Sequence, residues 1–218
     1  MQGEADILFR EDFSDLENWE PFYFSGKKRA TEYVIRSDSN TTYLEMISRS
    51  AASGIIYQGR FNPGEDSILT WRWRVQNVIP DADGKEKDSD DYPIRIFVMF
   101  DDDLADISFW QSIKNTAAKI MYGIEPPESS LCFVWANIEY SEKYFDSPYS
   151  ETVKIIPIET GGKRVGHWIT EQVNIASFYQ EIYKRKCPPV ASLAIMSDTD
   201  NTGSDVNASI DYIELRKE

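Results

Sequence analysis

Residues that most metal and thiol chemistry depends on are scarce in this chain. Of its 218 residues two are cysteine, Cys132 and Cys187, and one is histidine, His167. The cysteines lie far apart in no metal-ligand spacing, and both a disulfide and two buried free thiols fit them. A site built from several histidines is excluded. A Ser-His-Asp arrangement would have to use His167, and the chain contains no nucleophile elbow. No run is long and apolar enough to span a bilayer. Positive charge is outnumbered, 23 Lys and Arg against 37 Asp and Glu, for a net charge of -14. Such a surface repels phosphate backbones and anionic headgroups, which argues against nucleic acid and membrane insertion as partners. The opening Met1-Gln2-Gly3-Glu4 supplies neither a basic nor an apolar leader region, as expected of a mature exported chain and of a cytosolic one alike. There is no internal repeat and no low-complexity tract.

What the chain does have is apolar and aromatic alternation, with 41% hydrophobic and 13% aromatic residues. That is enough to bury a core as one domain over 1-218. Short β-branched or aromatic runs predict strands over 9–13, 30–36, 42–48, 54–61, 68–75, 92–100, 131–137, 152–158, 168–173, 190–196 and 208–215. The early trio at regular spacing predicts an antiparallel meander. Helical spacing of Trp110, Ile113, Ala117, Ile120 and Met121 predicts an amphipathic helix inside an insertion over 101–129, and residues 176–184 a second short helix. The expected fold is all-β, an antiparallel β-sandwich of jelly-roll type with a helical insertion and one further short helix.

The most informative stretch is Asp88 to Phe100, where an acidic loop runs straight into an alternating strand. Strict alternation places Tyr92, Ile94, Ile96, Val98 and Phe100 on a core face and Asp91, Arg95, Phe97 and Met99 opposite. On the strand before it, Trp71 and Trp73 alternate with Arg72 and Arg74. If both strands turn their aromatic sides into one core, Arg72 and Arg74 emerge beside Asp91 and Arg95.

Taken together, Trp71-Arg72-Trp73-Arg74, Asp90-Asp91-Tyr92 with Arg95, Val134-Trp135, Trp168 with Asn174, and the run Met196 to Thr202 resemble a bacterial family known as Domain of Unknown Function 3047. The likeness covers most of the chain from Leu69 onward. It departs in the insertion and in Ile210-Asp211-Tyr212-Ile213, where the family tends to place glycine before the acid. The resemblance implies an extracytoplasmic bacterial protein, periplasmic or secreted, and no particular activity. Residues 9–13 and 210–215 also look like the adjacent first and last strands of jelly-roll carbohydrate-binding modules, an analogy at the level of fold.

The expected ligand site is therefore Arg72, Arg74, Asp90, Asp91, Arg95, Trp135 and Asn137, holding an oligo- or polysaccharide through bidentate hydrogen bonds to hydroxyls and carboxylates. An Arg-Asp network that merely seals one sheet face fits the same residues. Asp198, Asp200 and Asn201 offer closely spaced oxygens on a glycine turn and are the expected ligands of a structural calcium ion, no other cofactor being implied. The loop is not an EF-hand: Thr202 precedes the glycine and no bidentate glutamate follows. Glu11 or Asp12 with Asp211 is a second calcium pair by the jelly-roll analogy. The functional expectation is a non-catalytic carbohydrate-binding module. A glycan-cleaving enzyme using carboxylates on the same sheet face, or a structural and protein-interaction domain, are the alternatives. Lyase chemistry would need a tyrosine or histidine base near the arginines, and strict alternation turns Tyr92 away from them.

Overall fold

The alternation is realised as thirteen strands and one helix in the computed structural model, which describes residues 6–24, 29–38, 41–101 and 129–217. In chain order the strands are β1 (Ile7–Glu11), β2 (Trp19–Tyr23), β3 (Glu32–Ser37), β4 (Thr42–Arg49), β5 (Ala52–Tyr57), β6 (Ser67–Val75), β7 (Tyr92–Asp101), β8 (Ser129–Ala136), β9 (Phe145–Ser147), β10 (Ser150–Thr160), β11 (Ile169–Asn174), β12 (Val190–Asp198) and β13 (Asp205–Lys217). The helix expected over 109–122 lies outside the described residues. The second expected helix is α1 (Ile175–Tyr183), capped by Asn174, whose Oδ1 accepts the Ser177 amide at 2.8 Å.

Two sheets result. One has the order β11-β6-β13-β4-β3, with β1 also paired to β13; the other runs β2-β5-β12-β7-β8-β10-β9. Pairing is antiparallel except between β8 and β10, which run parallel. β1 lies along β13, as the jelly-roll analogy anticipates. The expected meander does not form. β3 and β4 pair, but Ser50 takes a left-handed φ of 46° and the chain crosses to the other sheet, where β5 sits between β2 and β12.

The sheets bury their facing sides. Leu69, Trp71, Trp73 and Val75 of β6 meet Ile94, Ile96, Val98 and Phe100 of β7 and Leu131, Phe133 and Trp135 of β8. Ring contacts span the gap, Trp71 to Phe133 at 5.4 Å and Trp73 to Trp135 at 5.9 Å. Each such side chain contributes about 1.5–3 kcal/mol on burial. A second apolar layer covers the outer side of β7, β8, β10 and β12 with Phe97, Met99, Val134, Ile155 and Met196. These central strands are apolar on both faces. Cys132 and Cys187 are free thiols, the first buried.

Candidate functional site

Strict alternation fails at the start of β7, and the failure organises one side of the molecule. Arg95 pairs with Met196 but Tyr92 with Asp198, so β7 carries one extra residue between them. A bulge of this kind flips the next side chain to the other face. Tyr92 leaves the inter-sheet core and packs its ring on the Arg95 guanidinium, with Cζ 4.4 Å from the ring centroid. The expectation that Tyr92 points away from Arg95 is thus corrected. Its hydroxyl is buried with no partner among the described residues, pressed against Gly84.

Arg95 is 3% exposed and ties three segments together. Its Nε donates to Asp198 Oδ1 at 2.9 Å, its Nη2 to Asp198 Oδ2, and its Nη1 to Asp90 Oδ2 at 3.1 Å. Asp91, fully buried, accepts the backbone amides of Asn201 and Thr202 and the Thr202 hydroxyl. Asn137 accepts the Ile79 amide at 2.8 Å and donates to the Asp91 carbonyl at 2.7 Å. The acidic loop before β7 is thereby laced to the β12–β13 loop and to the end of β8. Arg95, Asp90, Asp91 and Asn137 come together as expected, but as groups that satisfy one another out of solvent.

The other expected ligand residues lie elsewhere. Arg72 and Arg74 project from the opposite sheet on its outer side, because Trp71 and Trp73 occupy its inner side. Aromatic sides do share one core; arginines from two facing sheets then point in opposite directions. Trp135 is fully buried in that core, its indole N–H donating to the Gly161 carbonyl at 3.1 Å. His167 is an exposed residue of the β10–β11 loop.

Asp91, Asp198 and Asp200 each bring a carboxylate oxygen within 4.8 Å of the others, the one such group among the described residues. Calcium takes about six to eight oxygens, whereas here Asp198 is bound by Arg95 and Asp91 accepts three hydrogen bonds. Asn201 turns its amide nitrogen to the Lys87 carbonyl and the Tyr149 hydroxyl. The donors fit a knot already holding its own cation better than a calcium cage, and no chemistry is routed through an ion. Of the second calcium pair, Glu11 accepts from the Phe13 amide and the Trp19 indole, Asp12 is bound to Arg10, and Asp211 to Arg72 and Thr41.

On the outer side of the six-stranded sheet, Arg74 lies against two half-buried rings, Cζ being 4.4 Å from the Trp168 centroid and 5.5 Å from that of Tyr43. Tyr43 and Trp168 meet edge-on at 5.5 Å. Arg72 is 5.2 Å from the Trp168 centroid and pairs with Asp211 at 2.7 Å. Tyr43 went unnoticed in the sequence, although it alternates with Leu44 and Met46, both of which point to the core.

A carboxyl pair was missed as well. Glu171 stands on β11 between Ile169 and Val173, which are core residues, so it faces inward at the edge of the sandwich. Glu159, Arg164 and Trp73 face it there, and Arg164 pairs with Glu159. Burial first, then the neighbouring Glu159 charge, pushes the Glu171 carboxyl up to about 7. Burial likewise lifts Asp90 to about 6 and Asp198 to about 8, against the pull of Arg95. A carboxyl raised in the folded state binds its proton more tightly there, so its stabilisation is complete below the unfolded value of about 4 and is lost as pH climbs through the folded value. The melting temperature is therefore expected to fall between pH 5 and pH 8.5, and Glu171→Gln to flatten part of that slope. Thermal melts across this range check it; a melting temperature that rises with pH contradicts the assignment.

An all-β sandwich with one aromatic and cationic outer face and one buried charge knot defines the class. The chain belongs to the family described as "Protein of unknown function (DUF3047)", matched over residues 17–214, a span that begins well before Leu69. No curated protein matches the sequence. Among solved structures it is similar to the family 30 carbohydrate-binding module of a cellulosomal cellulase from Clostridium thermocellum, at 9% identity, TM-score 0.46 and 91% coverage of both chains. Lectin II from Ulex europaeus is similar at 9% identity and TM-score 0.43, with 98% of this chain and 99% of that one covered. For the enzymatically active domain of bacteriophage CBA120 tailspike protein 4 the values are 9% and 0.44, over 95% of this chain but only 20% of the other. Likenesses this distant carry no argument about function. No helix among the described residues is long and apolar enough to cross a membrane.

Proposed function

We propose that this protein is an extracytoplasmic carbohydrate-binding module that binds without cleaving, and that its binding surface is the outer face of the six-stranded sheet around Trp168. The observation that carries this reading is the pairing of the half-buried Trp168 and Tyr43 rings with Arg72 and Arg74 on one outer face of the sheet. Sugar rings present C–H faces to aromatic planes and hydroxyls to guanidinium edges, and both partners stand together here. The family resemblance supports the extracytoplasmic placement. Binding without turnover is favoured because a glycan-cleaving pair would be Asp91 with an acid of the Asp198 loop, and Asp91 and Asp198 are at most 1% exposed and already bonded.

A glycan array followed by calorimetry and product analysis tests the reading. Trp168→Ala is expected to weaken glycan binding about tenfold, the worth of one aromatic stacking contact, with a cooperative melting transition retained and no release of reducing ends by either protein. Retention of no glycan, or equal binding by the variant, would overturn it.

A further inference from the structure

We infer that Arg74 is an oxyanion receptor and that the saccharide recognised at this face is acidic, presenting a carboxylate or sulfate to the Arg74 guanidinium. The inference rests on the glycan-binding reading above and narrows it to a ligand class.

The observation behind it is a cation without a counter-ion. Of the arginines on the strands of the same sheet, Arg10, Arg36, Arg49 and Arg72 each meet a carboxylate, from Glu214, Glu45, Asp205 and Asp211 respectively, whereas Arg74 and, at the far end of β13, Arg216 meet none among the described residues. Among the described residues Arg74 forms no ion pair, and its Nε is buried with no hydrogen-bond partner. The acid that approaches from the neighbouring strands, Glu45, is taken by Arg36 at 2.9 Å and by the Asn207 amide. In a chain with 37 acidic residues and a net charge of -14, a guanidinium held between two rings with no carboxylate among the described residues is open to an external anion.

Its setting suits anion recognition. A guanidinium can never shed its charge, and it offers five N–H donors in a planar fork that matches two oxygens of a carboxylate or sulfate. Contact with Trp168 and Tyr43 removes rotational freedom from that plane before a ligand arrives, which cuts the entropic cost of forming two hydrogen bonds at once. The rings that fix Arg74 are also those on which a sugar would stack, so the anion and its pyranose ring find their partners side by side. Net negative charge works against long polyanions at range. The fitting ligand is accordingly a short acidic oligosaccharide or the acidic terminus of a longer one.

The test compares three probes by titration calorimetry: a galacturonate trisaccharide, the same trisaccharide with its carboxyls reduced to alcohols, and a neutral trisaccharide bearing one sulfate ester. Wild-type protein is expected to bind one of the acidic probes about tenfold to a hundredfold tighter than the reduced one, the worth of a charge-assisted hydrogen-bond pair. Arg74→Gln should erase that preference, and Arg74→Lys should restore only part of it, because an ammonium lacks the planar fork. Preference for the galacturonate assigns a carboxylate, and preference for the sulfated probe assigns a sulfate. Equal affinity for acidic and reduced probes, unaffected by Arg74→Gln yet weakened by Trp168→Ala, overturns the inference and leaves the glycan reading standing. Binding of no saccharide overturns both. The wild-type comparison needs no variant, so it decides the matter even if an Arg74 substitution fails to fold.

Discussion

Arg95→Met is expected to destabilise the protein by about 3–5 kcal/mol, the largest loss from any single substitution at the charge knot. The reason is what remains behind rather than what is removed. Asp90 and Asp198 are 2% and 1% exposed, and Arg95 is the cation that both carboxylates contact. Without it, two carboxyls sit out of water with no positive charge beside them and must take up protons to stay there, the Tyr92 ring loses the group it packs on, and the Asp90 carbonyl loses its donor. Urea unfolding monitored by tryptophan fluorescence measures the effect. A loss below about 1 kcal/mol would show that the knot is solvated and that Arg95 is available to a ligand after all, since exposed pairs are worth no more than that.

Gly84→Ala is expected to cost about 3 kcal/mol, at the upper end of what overpacking usually does. An added Cβ would lie 1.5 Å from the Tyr92 hydroxyl and 2.5 Å from its Cζ. The ring has nowhere to go, being fully buried and held over Arg95. Tyr92→Phe alone should be close to neutral, because the hydroxyl it deletes has no hydrogen-bond partner to lose. Combined, the two substitutions should recover part of the loss, the remaining clash with Cζ setting the rest. A double-mutant cycle of unfolding free energies reads the coupling directly. Additive effects would mean that the loop carrying Gly84 moves aside independently of Tyr92.

The strands were legible because a sheet with one buried side writes its alternation into the chain. Leu69-Thr70-Trp71-Arg72-Trp73 leaves no doubt about which side of β6 is inside. α1 was legible from its apolar spacing, and β8 from its unbroken apolar run. Relations between strands were not legible. Nothing local in Ala51 or Ala52 says that β5 belongs to the other sheet, and nothing in β8 or β10 announces a parallel pairing. The proposed grouping of Arg72 and Arg74 with Arg95 failed at this level. The inner sides of β6 and of β7 beyond Pro93 follow the alternation, but two facing sheets have two outer sides. Tyr92 failed for a narrower reason: a bulge adds one residue, and alternation counted across it comes out reversed. Glu171 shows what the pattern could still have yielded, since an acid between two inward-facing aliphatics signals either a partner or a proton held at neutral pH.

The placement of β13 bears on how the molecule assembles. It pairs with β6 along most of its length, with β4 at one end and with β1 at the other, so it forms the centre of its sheet although it is the last of the described strands. Until its thirteen residues dock, β6 with β11 and β3 with β4 are two unconnected ribbons with their tryptophan and leucine sides open. Sheets dominated by such distant pairings close in about milliseconds to seconds. The completed sheet is correspondingly all-or-none: β13 is the strand whose departure would part the two ribbons again.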